Sequence, residues 1–194
     1  IESASARIQK CINKRLSVNK VPSLVRQLLH YGITPSVSFM LGFPQETDAD
    51  RDKTVRMALR MKCLGAQEVP LFFLTPYPGA LVSQEGGMEP IREKDRSPCY
   101  FRQSKQMARL INSNPDVFCT AMRAGDNKGN TKLTPRIVDR LYHTCLHNAR
   151  AFHYLFSTAR LSPSVIFPLL DKGLPPQELA LAVSRLISPR HYKI

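Results

Sequence analysis

No run of apolar residues in this 194-residue chain approaches the ~20 that a membrane-spanning helix needs. The first residues also lack the charged, apolar and small-residue layout of a signal peptide, so neither membrane insertion nor export is expected. Cysteine occurs five times, at 11, 63, 99, 119 and 145, without a C-x-x-C pair or a zinc-like spacing. Such an odd, scattered set reads as reduced thiols in a cytoplasmic protein. The G-x-x-x-x-G-K-[ST] spacing of a phosphate-binding P-loop is missing too, although Ala124 to Asn130 is loop-like in composition. Helix pairs do not repeat along the chain.

Acidic residues are scarce. Against 28 Lys+Arg stand 15 Asp+Glu, a net charge of +13. Up to Pro98 the balance is 14 basic to 10 acidic; from Cys99 onward it is 14 to 5. The excess therefore belongs to the C-terminal half, where it can meet RNA, an acidic partner or a phosphorylated substrate, or serve as ordinary solvated helix faces. The length allows one domain or two small ones, with a real core.

Periodicity orders the chain. Ile8, Cys11, Ile12 and Leu16 predict a helix over residues 5–15, and Leu24, Val25, Leu28 and Leu29 a second from Pro22 to Tyr31, stopped by Gly32. Thr34 to Leu41 is an apolar, β-branched run that reads as a strand. It breaks at Gly42-Phe43-Pro44 and restarts as a helix from Ala49 to Leu64, ended by Gly65, with Thr47 or Asp48 as its start signal. Glu46, Thr47 and Asp48 are explained by helix capping and the macrodipole. Glu68 to Leu74 reads as a buried strand, with Pro70 tolerated near its start. Crossovers of this length suit parallel pairing, and ligands of such sheets sit at the strands' carboxyl ends, which points to the turn from Gly42 to Glu46.

From Thr75 to Pro98 the chain is a long Pro/Gly-rich connection. The remainder is helical, at about 98–112, 135–159, 163–170 and 176–187, with proline at or near each first turn. Asp139, His143 and His147 share one helix face at a spacing that suits either metal ligands or surface hydrogen bonds. Tyr142, Phe152, Tyr154 and Phe156 suit either core packing or stacking on single-stranded RNA.

Three short motifs fall in one order: Ile1-Glu2-Ser3-Ala4-Ser5, Ile12-Asn13-Lys14, and Leu41-Gly42-Phe43-Pro44-Gln45-Glu46-Thr47. With Thr75-Pro76-Tyr77-Pro78-Gly79-Ala80 after them, the first eighty residues resemble the second half of a radical S-adenosylmethionine (SAM) enzyme. The closest flavour is the class holding the cobalamin-binding radical enzymes and the methylthiotransferases. The resemblance implies an α/β fold, the fourth to sixth strands of a partial (β/α) TIM-type barrel over residues 1–97, followed by an all-α region over 98–194.

By that resemblance Glu2 accepts hydrogen bonds from the ribose hydroxyls and Lys14 pairs with the amino acid carboxylate of SAM. Ser38 addresses the ribose, Met40 packs against adenine, and Gly42 keeps the turn close to the cofactor. It implies no catalytic residue that can be named and no metal ligand in this chain. The C-x-x-x-C-x-x-C loop that holds a four-iron four-sulfur cluster in such enzymes is absent, and its expected place is upstream of Ile1, itself read as the tail of a strand already under way. The intact enzyme would take electrons from a donor such as flavodoxin or ferredoxin, cleave SAM reductively, and abstract hydrogen from, or methylate, an unknown substrate, with cobalamin in some members. The alternative is a basic helical module that binds RNA or a protein partner without catalysis.

Overall fold

Val37, Phe39 and Leu41 alternate with Ser36, Ser38 and Met40, so a strand here has one apolar face and one polar face. A computed structural model describes residues 1–76, 88–90, 104–114, 122–124 and 132–191, and it shows that alternation in use. Strand β1 (Phe39–Leu41) pairs in parallel with β2 (Leu71–Phe73), in the register Phe39 to Leu71, Met40 to Phe72 and Leu41 to Phe73. The pairing extends backward through a bridge from Ser36 to Glu68. On the other side of β1, Glu2 bridges Phe39 in parallel, and the Met40 amide donates to the Glu2 carbonyl at 2.7 Å. Three parallel segments thus lie side by side, with the Glu2 segment and β2 flanking β1. Pro70 precedes β2 and its carbonyl accepts from the Phe39 amide at 2.9 Å, so the missing N–H costs the ladder nothing.

Helices supply the cover. Helix α1 (Ala6–Cys11), α2 (Val21–His30) and α3 (Asp48–Leu64) connect the three segments. Helix α3 is fixed at its start by a capping box, in which the Thr47 side chain accepts from the Asp50 amide while the Asp50 side chain accepts from the Thr47 amide. Glu46 takes no part in that cap, contrary to the capping role read from the sequence. Beyond lie the antiparallel pair β3 (Met88–Pro90) and β4 (Met122–Ala124), and helix α4 (Lys105–Ser113). Tyr77 to Ala80, the end of the last motif, and Ala124 to Asn130, apart from Ala124 itself, fall outside the described residues.

The helix expected over 135–159 is broken. It runs as α5 (Pro135–Arg140), a π-helical turn from Leu141 to Leu146, and α6 (Ala149–Ser157). A short 3-10 turn (Pro163–Ile166), α7 (Phe167–Lys172) and α8 (Pro176–His191) follow. The wide turn adds a residue per turn and lets Leu141, Cys145, Leu146 and Ala149 all face inward. Phe152 and Phe156 are buried as well, while Tyr154 is exposed. Most of the buried apolar side chains form one continuous cluster, from Val21 and Val25 through Phe39, Leu59 and Phe73 to Ile137, Phe156, Phe167 and Val183. Among the described residues no helix is long and apolar enough to cross a membrane.

Helix α3 holds the C-terminal helices through polar contacts on the side away from the sheet. Asp52 accepts from the Ser164 amide at 2.8 Å, from the Ser164 hydroxyl at 2.5 Å and from the Ser162 hydroxyl. One turn on, Arg56 donates to the carbonyls of Leu161, at 2.9 Å, and of Phe156. The two side chains grip both ends of the link between α6 and α7.

Candidate functional site at the carboxyl ends of the parallel strands

Two of the residues marked in the sequence meet because of how α1 ends. Asn13 takes a positive φ of 55°, its amide donates to the Lys10 carbonyl at 3.1 Å, and the Lys14 amide donates to the Gln9 carbonyl at 2.9 Å. This is a Schellman stop with asparagine in the left-handed position. The helix therefore closes at Cys11, four residues earlier than its apolar spacing suggests, and the reversal turns Lys14 back onto Glu2, with which it forms an ion pair. Glu2 has a φ of 64°, in the left-handed region that a carboxylate side chain seldom occupies.

The surrounding segment is over-determined. The Gln9 side chain donates to the carbonyls of Ile1, at 2.7 Å, and Ser3, at 2.5 Å. Thr54 of α3 contacts the Ser3 hydroxyl and accepts from the Ala4 amide, both at 3.1 Å. Strain at Glu2 persists because these bonds hold both its neighbours. The resulting pair is half open to water, with Lys14 at 47% and Glu2 at 29% side-chain exposure.

Ser38 and Met40 lie on the sheet face turned away from the buried Val37, Phe39 and Leu41. Ser38 is exposed and Met40 half-buried; Phe72, opposite Met40 in register, is 51% exposed. The open face is thus a strip of serine, methionine and phenylalanine, flanked by the ion pair. Phe72 was not singled out in the sequence, where it is one of an apolar run. Only the register shows that Leu71 and Phe73 go inward and leave it behind.

Gly42 follows β1 with a φ of 96°. Its amide donates to the Glu46 carboxylate at 2.7 Å, and the Glu46 amide donates to the Phe43 carbonyl at 2.9 Å, which closes the turn. The Gly42 amide is therefore engaged inside the protein. Glu46 is wholly buried and also receives the Arg51 guanidinium at 3.4 Å; Arg51, itself buried, holds Asp48 at 3.0 Å. Sequence reading missed this pair, although an arginine one turn past a proline-closed loop is a reachable signal.

Burial is the largest influence on Glu46 and pushes its carboxyl up to about 7, against the opposing pull of the Gly42 amide and Arg51. In the unfolded chain the same group ionises near 4.5. Between those values the folded state keeps a proton the unfolded state has lost, so stability falls as pH rises from 4.5 through 7. At about 1.4 kcal/mol per unit the loss is about 3 kcal/mol. Urea unfolding at pH 5 and pH 8 should show it in the native chain and lose most of it in Glu46→Gln; an unchanged slope in the variant would refute the assignment.

Asp50 behaves oppositely. Burial alone would raise it, but hydrogen bonds from Ser5, at 2.5 Å, Thr47, at 2.6 Å, and Arg7 outweigh burial and hold the carboxyl well below the usual carboxylate range. Asp50 thereby ties the start of α3 to the segment that carries Glu2.

Away from this end, His143 and His147 stack 5.7 Å apart, with Asp139 3.6 Å from His143. No group of three or more His, Cys, Asp or Glu among the described residues is arranged to hold a metal ion. Of the cysteines, Cys11 and Cys63 are exposed and apart in the fold, and Cys145 is buried, which pushes its thiol up.

No protein-family model matches the chain, and no solved structure matches it. A weak similarity is found to an uncharacterized methyltransferase of Pyrococcus horikoshii, 34% identical over 79 residues. The shared stretch takes up 41% of this chain and 17% of that protein, so the chain corresponds to a small part of the length of its curated relative.

Proposed function

We propose that this chain is the second half of the catalytic barrel of a radical SAM enzyme, with a helical region that shapes the substrate side. The observation that carries the reading is the meeting of Glu2 and Lys14, from separate motifs, beside the open face of Ser38 and Met40 at one end of three parallel segments. Motif order and the similarity to a methyltransferase support it. The relative's name favours methyl transfer over other outcomes of the same chemistry.

The donor set suits SAM. A carboxylate accepts from a ribose diol, an ammonium pairs with an amino acid carboxylate, and a methionine and a phenylalanine offer an apolar bed for adenine. Because Glu2 and Lys14 are paired at the surface, each can exchange its present partner for a ligand group at little cost. Bound there, SAM supplies the methyl or adenosyl group for the reaction. The chain's own task is to orient it: Gln9 and Thr54 fix Glu2, Asn13 fixes Lys14, and the Glu46 turn fixes the end of β1. The described cysteines do not fit an iron-sulfur cluster, since they neither gather nor, at Cys145, favour a thiolate. On this reading the cluster ligands belong to sequence preceding Ile1.

Equilibrium binding of labelled SAM tests the proposal. A protein extended upstream through a C-x-x-x-C-x-x-C motif should bind it, with Glu2→Gln and Lys14→Met each weaker by about tenfold, the scale of a charge-assisted hydrogen bond. The 194-residue chain alone should not bind at micromolar levels. An upstream reading frame without the cysteine motif would sink the proposal.

A further inference from the structure

The C-terminal helices enclose a cavity that the SAM reading does not use. It lies between α6 and α8, measures about 330 Å3, and is backed by Phe152, Leu179 and Val183, all buried, with half-buried Leu155 beside them. That volume lies within the range of small-molecule sites, about 300–1,000 Å3. Packed helices leave few voids larger than a water molecule, so space of this size between two of them is room for a ligand. At the rim stand Ala151 of α6 and Ala180 of α8, both exposed, and the opening is wide because each carries only a methyl group.

Three polar residues, Thr144, Asn148 and Ser184, complete the lining. Thr144 belongs to the π-helical turn, a departure from regular helix that is frequent at functional sites. Asn148 donates an N–H to the Thr144 carbonyl, and Ser184 donates its hydroxyl to the Leu181 carbonyl, both at 2.8 Å. What the two side chains retain for a ligand therefore includes two acceptor oxygens. Among the described residues no charged side chain lines the cavity, in a chain whose net charge is +13. An ionised ligand would lose its hydration there without gaining a partner.

We propose that this cavity binds an uncharged, largely hydrocarbon small molecule that carries a hydroxyl group. Its apolar part lies on Phe152, Leu155, Leu179 and Val183, where removal of apolar surface from water drives binding. Its hydroxyl donates to Asn148 or Ser184 at the rim. The lining excludes carboxylates and phosphates by offering them no cation.

The uncharged dye N-phenyl-1-naphthylamine, whose fluorescence rises in apolar surroundings, tests the proposal when titrated into the 194-residue chain and displaced by decan-1-ol or by decanoate at pH 8. Saturable binding of one dye per chain is expected, and decan-1-ol should displace it at concentrations about tenfold below those of decanoate. Ala151→Leu and Ala180→Leu, which extend a longer side chain into the cavity from its exposed rim, should each weaken the dye about tenfold. Leu24→Ser, which removes an exposed leucine of α2, should leave it unchanged. Thermal unfolding by circular dichroism confirms that each variant is folded. Dye binding that is not saturable, or that is unaltered in both alanine variants, would overturn the cavity as the site. Equal weakening in Leu24→Ser would reduce the effect to general apolar surface and overturn it too. Displacement by decanoate as effective as that by decan-1-ol would overturn the uncharged class of ligand.

Discussion

Asp52→Ala should lower the stability of the chain by about 3 kcal/mol. Asp52 alone accepts from Ser162 and twice from Ser164, and hydrogen bonds to a charged group contribute about 1.5–3 kcal/mol each, without adding fully. Part of the loss comes from Ser164, which is buried and would keep its amide without an acceptor, its hydroxyl being left with the long bond to the Asp48 carbonyl at 3.4 Å. For a chain of this size the melting temperature should drop by about 6–12 °C. The damage should be local in origin: hydrogen exchange should rise first over residues 158–166, where Arg56 and the Ser164 bond to the Asp48 carbonyl are left as the polar ties to α3. Asp52→Asn, which keeps one acceptor oxygen, should fall between. A melting temperature unchanged in Asp52→Ala would show that the Asp52 hydrogen bonds add nothing to the hold on the α6 to α7 link.

Gly42→Ala should cost a similar amount, about 3 kcal/mol, for a different reason. A side chain at φ 96° carries backbone strain of about 1–3 kcal/mol. The new Cβ would also stand 3.0–3.3 Å from three atoms of the Phe73 ring, and overpacking of this kind costs about 1–3 kcal/mol. Phe73 is buried in the core, so the ring has little room to yield. The two contributions separate in a double-mutant cycle with Phe73→Leu, which removes the clash and leaves the strain. A Gly42→Ala chain whose stability matches the native one, or a cycle with no coupling, would overturn the account. Under the proposed function the same substitution should also weaken SAM binding, since the end of β1 would shift against Ser38 and Met40.

What could be read in advance differs from residue to residue. The strand over Thr34 to Leu41 was legible from its apolar, β-branched run, and Ser38 and Met40 were marked by the family resemblance; the face they share follows from the strict alternation of a strand once its buried side is known. Helix α3 was legible from Thr47 to Gly65, since its cap and its stop are chemical signals confined to a few residues. The end of α1 was not, because apolar residues at Ile12 and Leu16 continue the helical period past the point where Asn13 turns the chain. In the sequence Glu46 reads as a capping residue, because acidic residues before a helix usually interact with its N-terminus. Its burial depends on the Phe43-to-Glu46 turn and on Arg51 reaching back, neither of which periodicity can show. The π-helical turn at Leu141–Leu146 was invisible too: it exists to bring Cys145 and Leu146 onto a surface built by other elements.

By itself, then, the sequence determined the order of elements from Thr34 to Gly65, the start and stop of α3, the basic C-terminal half and the three motifs that suggest a SAM site. Only the tertiary structure decided which of those residues meet. Lys14 reaches Glu2 because a left-handed asparagine reverses the chain, and Phe72 stays exposed because the register sends its neighbours inward. The exposure of Phe72 depends on pairing between segments distant along the chain. Local propensity carries no information about that pairing.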